Sequence, residues 1–226
     1  MRGCFVTGTD TSAGKTVLTA AITAGLRARG IDALACKPVI TGLDEPADPS
    51  WPPDHLLLAR ISGCAAELVS AIGFGPAVSP HLAAELAGRP LQAQELREAV
   101  STAAAGRDAV IVEGVGGLLV PFADAYDVRS LARDLGLPVV IAARPGLGTI
   151  NHTLLTLEAA RLVGLRVRAV VLTPWPPDPG RLELSNRETI ARLGGIEVFT
   201  LPRVAQPDPE PLARAAEGLP LEQWVA

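Results

Sequence analysis

The stretch Arg2–Arg29, RGCFVTGTDTSAGKTVLTAAITAGLRAR, constrains the fold more than any other part of the chain. Cys4–Thr7 is a short apolar, β-favouring run, and Gly8–Gly14 is rich in turn formers. From Lys15 onward the apolar residues Val17, Leu18, Ala21, Ile22 and Leu26 recur at helical spacing. A strand, a glycine-bounded loop and a Lys-Thr pair opening a helix form the context of a phosphate-binding loop. Successive backbone N–H groups in such a loop make a concave anion site, and the positive end of the helix dipole points into it. Gly8, Thr9, Asp10, Thr11, Ser12, Ala13 and Gly14, followed by Lys15, Thr16 and Val17, are therefore the expected nucleotide cradle. Lys15 is expected to reach the β- and γ-phosphates, and the Thr16 hydroxyl to ligate Mg²⁺. The common spacing would place glycine at position 9, where Thr9 stands; Gly8 comes one residue early, leaving five residues between the glycines. Glycine-rich strand-to-helix turns also occur without bound phosphate. Lys15-Thr16 directly after Gly14, behind an apolar strand, weighs against that reading.

The remainder of the chain alternates in the same way. Apolar β-favouring runs are expected as strands at Ala33–Cys36, Ala109–Val112, Pro138–Ala142, Val167–Leu172 and Glu197–Leu201. Helical patterns fall at Asp54–Ile61, Ala65–Ser70, His81–Ala87, Gln92–Ala105, Val128–Leu135, Thr149–Val163 and Leu182–Leu193, with a weaker one from Pro211. Leu118–Val120 is a short apolar segment, and residues 41–53 and Trp175–Gly180 read as proline-rich loops. Near-continuous apolar strands between helices indicate a doubly wound α/β fold, its mainly parallel sheet covered on both faces. With 226 residues, 48% of them hydrophobic, one domain over 1–226 is expected to bury its own core. A net charge of −4 argues against a general binder of nucleic acid or membrane surface. No apolar stretch reaches bilayer length, and the N-terminus lacks a signal-peptide layout. Cys4, Cys36 and Cys64 are widely spaced, which suits packing in a reduced cytoplasm.

In a parallel sheet, ligands bind beyond the carboxyl ends of the strands. Four features fall there: the phosphate loop, Lys37, the turn Glu113-Gly-Val-Gly-Gly117, and the loop from Arg144 to Asn151. Lys37 could snorkel to solvent, but facing the phosphate loop it would neutralise a transferring phosphoryl group. Glu113 ends a buried strand and is a candidate Mg²⁺ ligand. Asp54 opens a helix; it is either an N-cap or a third metal ligand. The residues alone indicate Mg²⁺-dependent phosphoryl transfer to a small acceptor.

Several stretches together resemble the dethiobiotin synthetase family: FVTGTDTSAGKT at 5–16, CKPVITG at 36–42, the Asp54 helix start, SPH at 79–81, VEGVGGLLVP at 112–121 and LGTINHTLLT at 147–156. The resemblance implies a phosphate-loop NTPase fold and a cytoplasmic ligase of biotin biosynthesis. Its substrates would be 7,8-diaminononanoate, CO₂ and ATP or another nucleoside triphosphate. It further implies that Thr16, Asp54 and Glu113 hold Mg²⁺, and that Lys15 and Lys37 stabilise the phosphoryl group and carbamate. Thr11 and Thr41 would position the carbamate end of the substrate, with Gly116, Gly117 and Thr173 against the nucleotide. At a homodimer interface, Gly148, Thr149, Ile150 and Asn151 would receive the substrate carboxylate. Two departures stand out. Ser12 occupies a position where the family often has Glu, and Thr173-Pro174-Trp175-Pro176 replaces the usual adenine-reading Asn-Asp. Weak discrimination among nucleobases is the expectation. The alternatives on the same fold are a small-molecule kinase and a partitioning-type ATPase switch, but positions 9 and 10 lack the second lysine such a switch carries.

Overall fold

A computed structural model describes residues 1–46, 48 and 51–225. Positions 47, 49 and 50 of the expected 41–53 loop lie outside the described residues. The GCFVTG run forms β1 (Gly3–Gly8), fully buried, and α1 (Lys15–Ala28) follows the phosphate loop. β2 (Ala33–Cys36) stops before Lys37-Pro38, because proline cannot donate to the ladder and disfavours helix at the residue before it. The chain then resumes as β3 (Val39–Ile40). α2 (Asp54–Ser62) and the single turn α3 (Ala66–Val69) lead to β4 (Ile72–Gly73), which pairs in parallel with β3. α4 (Pro80–Leu86) begins on a proline, whose missing N–H would have no intrahelical partner there anyway. α5 (Ala93–Ala104) feeds β5 (Ala109–Glu113).

A small antiparallel pair, β6 (Pro121–Ala123) and β7 (Tyr126–Asp127), precedes α6 (Val128–Leu135). The Asp127 carboxylate caps that helix by accepting from the Ser130 N–H at 2.7 Å. β8 (Val139–Ala143), α7 (Thr149–Leu162), β9 (Val167–Trp175), α8 (Arg181–Gly194) and β10 (Val198–Pro202) complete the alternation. The tail folds as α9 (Pro209–Ala215) and α10 (Leu221–Trp224). One boundary corrects the sequence expectation. β9 runs on through Pro174 to Trp175, which pairs with Pro202, so the loop begins after Trp175.

The six-stranded sheet has the order β10-β9-β8-β1-β5-β2, and every neighbouring pair in it is parallel. Strand periodicity splits its side chains between two cores. Cys4 and Val6 join Leu18, Ile22, Leu57, Leu212 and Trp224 beneath α1, α2, α9 and α10. Phe5 joins Leu96, Val100, Leu131, Leu157 and Ile190 beneath α5, α6, α7 and α8. The fold is thus the expected doubly wound α/β layer. β1 sits centrally, with β5 on one side and β8 on the other, where the winding of the sheet changes direction. A crevice at the carboxyl end of such a strand is where this architecture places ligands.

Candidate active site

The phosphate loop is tied down at its base from both neighbouring strands. Thr9 N–H donates to the Ala142 carbonyl at 3.0 Å, and Gly114 N–H donates to the Val6 carbonyl at 2.9 Å. Gly14 caps α1 with φ 89°, and a Cβ there would stand 2.5 Å from Thr173 Cγ2. Backbone conformation and the approach of β9 therefore both demand glycine. Ser12 also has positive φ, 58°. Among the described residues, the N–H groups of residues 12–17 have no backbone acceptor. These donors lie at the positive end of α1, the place where the sequence pattern expects an anion. Lys15 folds over Gly8, whose Cβ position would lie 3.0 Å from Lys15 Cγ, and its Nζ donates to the Asp10 carbonyl at 2.9 Å. Asp10 also accepts the Thr11 N–H at 2.7 Å, and Thr11 itself is exposed at the mouth. Val17 packs half-buried against the α1-side core.

The second glycine-rich turn lies on the first. Gly117 faces the Gly8 and Thr9 carbonyls, each 3.7 Å from its Cβ position, and Gly116, with φ 61°, faces the Thr11 hydroxyl at 3.6 Å. Beside them four side chains from four elements converge. Lys37 follows β2, Asp54 opens α2, Glu113 ends β5 and Thr16 lies in the first turn of α1. Glu113 Oε1 accepts from Thr16 Oγ1 at 2.8 Å and from Lys37 Nζ at 3.0 Å, while Lys37 Nζ also donates to the Asp54 carboxylate. The N-cap reading of Asp54 is corrected here. Pro53 holds the cap position, and the Asp54 carboxylate turns to Lys37 instead.

Burial sets the electrostatics of this cluster. For Lys37, burial alone would lower the pKa, but Glu113 and Asp54 outweigh it and hold the ammonium charged well above the usual lysine range. Burial pushes the Glu113 carboxyl up, with Lys37 offsetting part of the effect. Burial would likewise raise Asp54, but the charge and hydrogen bond of Lys37 win and its pKa is lowered. For Lys15, burial lowers the pKa and Glu113 offsets only part of that. Glu113 Oε2 is fully buried and has no hydrogen-bond partner among the described residues. A buried carboxylate oxygen left bare costs about 1–3 kcal/mol or more, so the site is built for something that satisfies it. Two carboxylates and a hydroxyl supply hard oxygen donors, the chemistry that Mg²⁺ takes. The residues present therefore fit that ion.

The remaining candidates lie outside this cluster. Thr41, half-buried, directly follows β3, and Thr173 is buried against Gly14. Gly148, at φ 90°, caps α7. Thr149 Oγ1 shares a hydrogen bond with Thr153 at 3.4 Å, and Ile150 packs on the α7-side core, so both side chains turn inward. Thr149 N–H is used by the Gly146 carbonyl at 3.3 Å, which leaves the N–H groups of Ile150 and Asn151 without acceptors among the described residues. Any anion received there would be bound by backbone. Asn186 had no firm role in the sequence. Its Nδ2 donates to the Pro145 and Gly146 carbonyls at 2.9 and 3.2 Å, a structural use no local pattern announces. Arg144 was also missed as an individual residue. It reaches the phosphate loop, and its place just after the strand beside β1 was the available signal.

Comparison with known proteins places the chain in a family. A family model described as AAA domain matches residues 2–210. Among solved structures, a ParA family ATPase from Chlorobium tepidum TLS superposes with TM-score 0.57 at 13% identity, covering 99% of this chain and 96% of that one. The septum site-determining protein MinD from Pyrococcus horikoshii OT3, in complex with Mg-ADP, gives TM-score 0.51 at 14% identity, covering 99% and 92%. These likenesses concern the fold alone. Fold and loop together define a phosphate-loop NTPase. An ATP-dependent dethiobiotin synthetase BioD of Anaeromyxobacter sp. (strain Fw109-5) is 40% identical over 207 residues, 87% of this chain and 91% of its own length. The protein of the same name from Mycobacterium sp. (strain KMS) is 38% identical over 223 residues, 98% and 96% of the two chains. The chain belongs to the ATP-dependent dethiobiotin synthetase family.

Proposed function

We propose that this chain, acting as one domain, is a cyclo-ligase that converts 7,8-diaminononanoate, CO₂ and ATP into dethiobiotin, ADP and phosphate. One amine nitrogen attacks CO₂ and loses a proton, giving a carbamate. A carbamate oxygen attacks the γ-phosphorus, and the bond from that phosphorus to the ADP oxygen breaks. The second amine then attacks the carbonyl carbon and loses a proton, the C–O bond to phosphate breaks, and the ureido ring closes. The observation that carries this reading is the buried Lys37 ammonium, held charged between Asp54 and Glu113 beside an anion-binding loop.

Each residue then has a task that its surroundings support. The free N–H groups of residues 12–17 receive the β- and γ-phosphates. Lys15 exchanges the Asp10 carbonyl for a phosphate oxygen, a stronger acceptor because it is charged. Lys37 faces the oxygens of the transferring group and the carbamate, where charge develops. Thr11 and Thr41 orient the carbamate. Thr16, Asp54 and Glu113 would hold Mg²⁺, with the bare Glu113 Oε2 as the first donor. When bound, Mg²⁺ supplies Lewis-acid neutralisation of phosphate charge.

The substrate carboxylate is assigned to the free Ile150 and Asn151 amides of a neighbouring copy. Leu147 at the head of α7 is 93% exposed, and Leu155 and Leu162 on that helix are also exposed, a surface suited to a homodimer. No helix among the described residues is long and apolar enough to cross a membrane, in keeping with a proposed cytoplasmic place. The nucleobase would lie beyond Thr173, toward a hollow of about 380 Å³ at the end of β10 lined by Pro202, Arg203 and Gln206. The test is direct: incubate the protein with diaminononanoate, bicarbonate, Mg²⁺ and ATP, and look for the cyclic urea. ATP hydrolysis without cyclic urea would instead support an ATPase switch, and a stable phosphorylated product a kinase.

A further inference from the structure

Arg144 is the first residue after β8, and β8 runs beside β1 with Gly8 level with Ala142. Its side chain crosses to the outside of the phosphate loop. Nε donates to the Ser12 carbonyl at 3.2 Å, and Nη2 donates to the Thr11 carbonyl at 2.9 Å. A planar guanidinium thus places two fixed prongs, on two different nitrogens, on two successive peptide groups, a rigid fork that the single nitrogen of a lysine does not present. None of the ion pairs among the described residues involves Arg144, so its charge is not spent on a carboxylate.

The consequence follows from peptide geometry. In a trans peptide, the carbonyl and the N–H of the next residue point in opposite directions. Fixing the Thr11 and Ser12 carbonyls toward Arg144 turns the Ser12 and Ala13 N–H groups away from it. Those are two of the loop donors that lack an acceptor. Ser12 has the greatest need of such a clamp, being the one non-glycine residue with positive φ among the described residues. A serine in that region is not held by its own preference, so a contact from elsewhere has to hold it. On the other side, Arg144 leads into Pro145 and Gly146, whose carbonyls are pinned by Asn186. The clamp therefore stands on a fixed base.

We propose that Arg144 is a positioning residue for phosphoryl transfer, its guanidinium fork holding the Thr11 and Ser12 peptides so that the Ser12 and Ala13 amides face the triphosphate. This rests on the triphosphate occupying the loop, which ATP turnover by the unaltered enzyme checks separately. In the full chain, Arg144→Ala lowers kcat/KM for ATP by about tenfold to a hundredfold, the range for losing hydrogen bonds to a charged group. The KM for diaminononanoate stays within about twofold, and the melting temperature of the free protein within about 2 °C, because Arg144 is exposed and touches neither core. Arg144→Lys keeps the charge and loses the fork, so it recovers less than about a third of the lost efficiency. Ethylguanidinium added to Arg144→Ala raises kcat/KM for ATP, whereas ethylammonium at equal concentration does not. Three results would each overturn the proposal. They are an Arg144→Ala enzyme within twofold of the parent for ATP, full recovery by Arg144→Lys, and a loss for both substrates accompanied by a matching fall in melting temperature.

Discussion

The two ends of the site are built in opposite ways. At the phosphate end the groups are buried, charged and already wired together: Lys15 and Lys37 are 7% exposed, Glu113 is 0% exposed, and the latter two share a hydrogen bond at 3.0 Å. At the Gly148 end only two backbone amides are on offer, flanked by a leucine that is 93% exposed. The first end is preorganised: charges fixed in a low-dielectric setting need no rearrangement when a transition state forms beside them. In the proposed function, the second end is completed by a neighbouring copy. Exposed apolar surface beside a helix start becomes a pocket only when another surface covers it.

If that contrast holds, the largest effect belongs to the wired end. Lys37→Ala should lower kcat by roughly two to three orders of magnitude, with a smaller change in KM, if Lys37 acts as proposed on oxygens where charge develops. The substitution also leaves Asp54 and the buried Glu113 without their shared partner, so the folded state must be checked by melting before the rate is read. A near-normal kcat with only a raised KM would reduce Lys37 to a residue that helps hold substrate.

The same contrast explains what could be read from sequence. The six main strands were legible because strands buried on both faces are apolar runs, and helices between them carry a different period. β3, β4, β6 and β7 were not, since segments of two or three residues carry no periodicity. Pro174 looked like a breaker, yet β9 continues through it on the side next to β10 and pairs again at Trp175. In the site, the phosphate loop is contiguous and was legible from its context, Lys15-Thr16 directly after Gly14 behind an apolar strand, although its glycine spacing is irregular. The Lys37–Glu113 bond joins residues 76 positions apart; parallel topology put both on one rim, and their meeting follows from the pairing of β2 with β5. Asp54 needed coordinates, because whether a carboxylate caps its own helix or turns to a lysine is decided by side-chain direction. Arg144 needed them for the same reason.

The open end yields the next largest effect. Replacing both Leu155 and Leu162 with Glu puts charge on exposed positions of α7 that carry no core packing, so the fold should survive. Dimers should dissociate and the KM for diaminononanoate should rise by about tenfold or more, a cost of about 1.4 kcal/mol per decade. ATP binding, which depends on the wired end, should change little. Light scattering alongside substrate titration checks both halves. A monomer with unchanged KM would show that each chain holds a complete site, and the contrast between the two ends would fail.

The smallest effect concerns the base. Adenine is commonly read by an amide that both donates to and accepts from its edge. At the end of β9 this chain has Thr173, packed on Gly14, and Pro174, which has neither a side-chain hydrogen-bonding group nor an N–H. Asn186 is the nearby amide in sequence, but its nitrogen is spent on the Pro145 and Gly146 carbonyls. A site without a complementary pair discriminates weakly, since a wrong base leaves no buried partner unsatisfied. The phosphate contacts, common to all nucleotides, then carry most of the affinity. CTP and GTP should therefore support turnover with kcat/KM within about tenfold of ATP, a difference of about 1.4 kcal/mol or less. The measurement is kcat/KM for ATP, CTP, GTP and UTP at saturating diaminononanoate. A preference for ATP above a hundredfold over every other nucleotide would show that the chain reads adenine by another route, and that this end is as specific as the phosphate end.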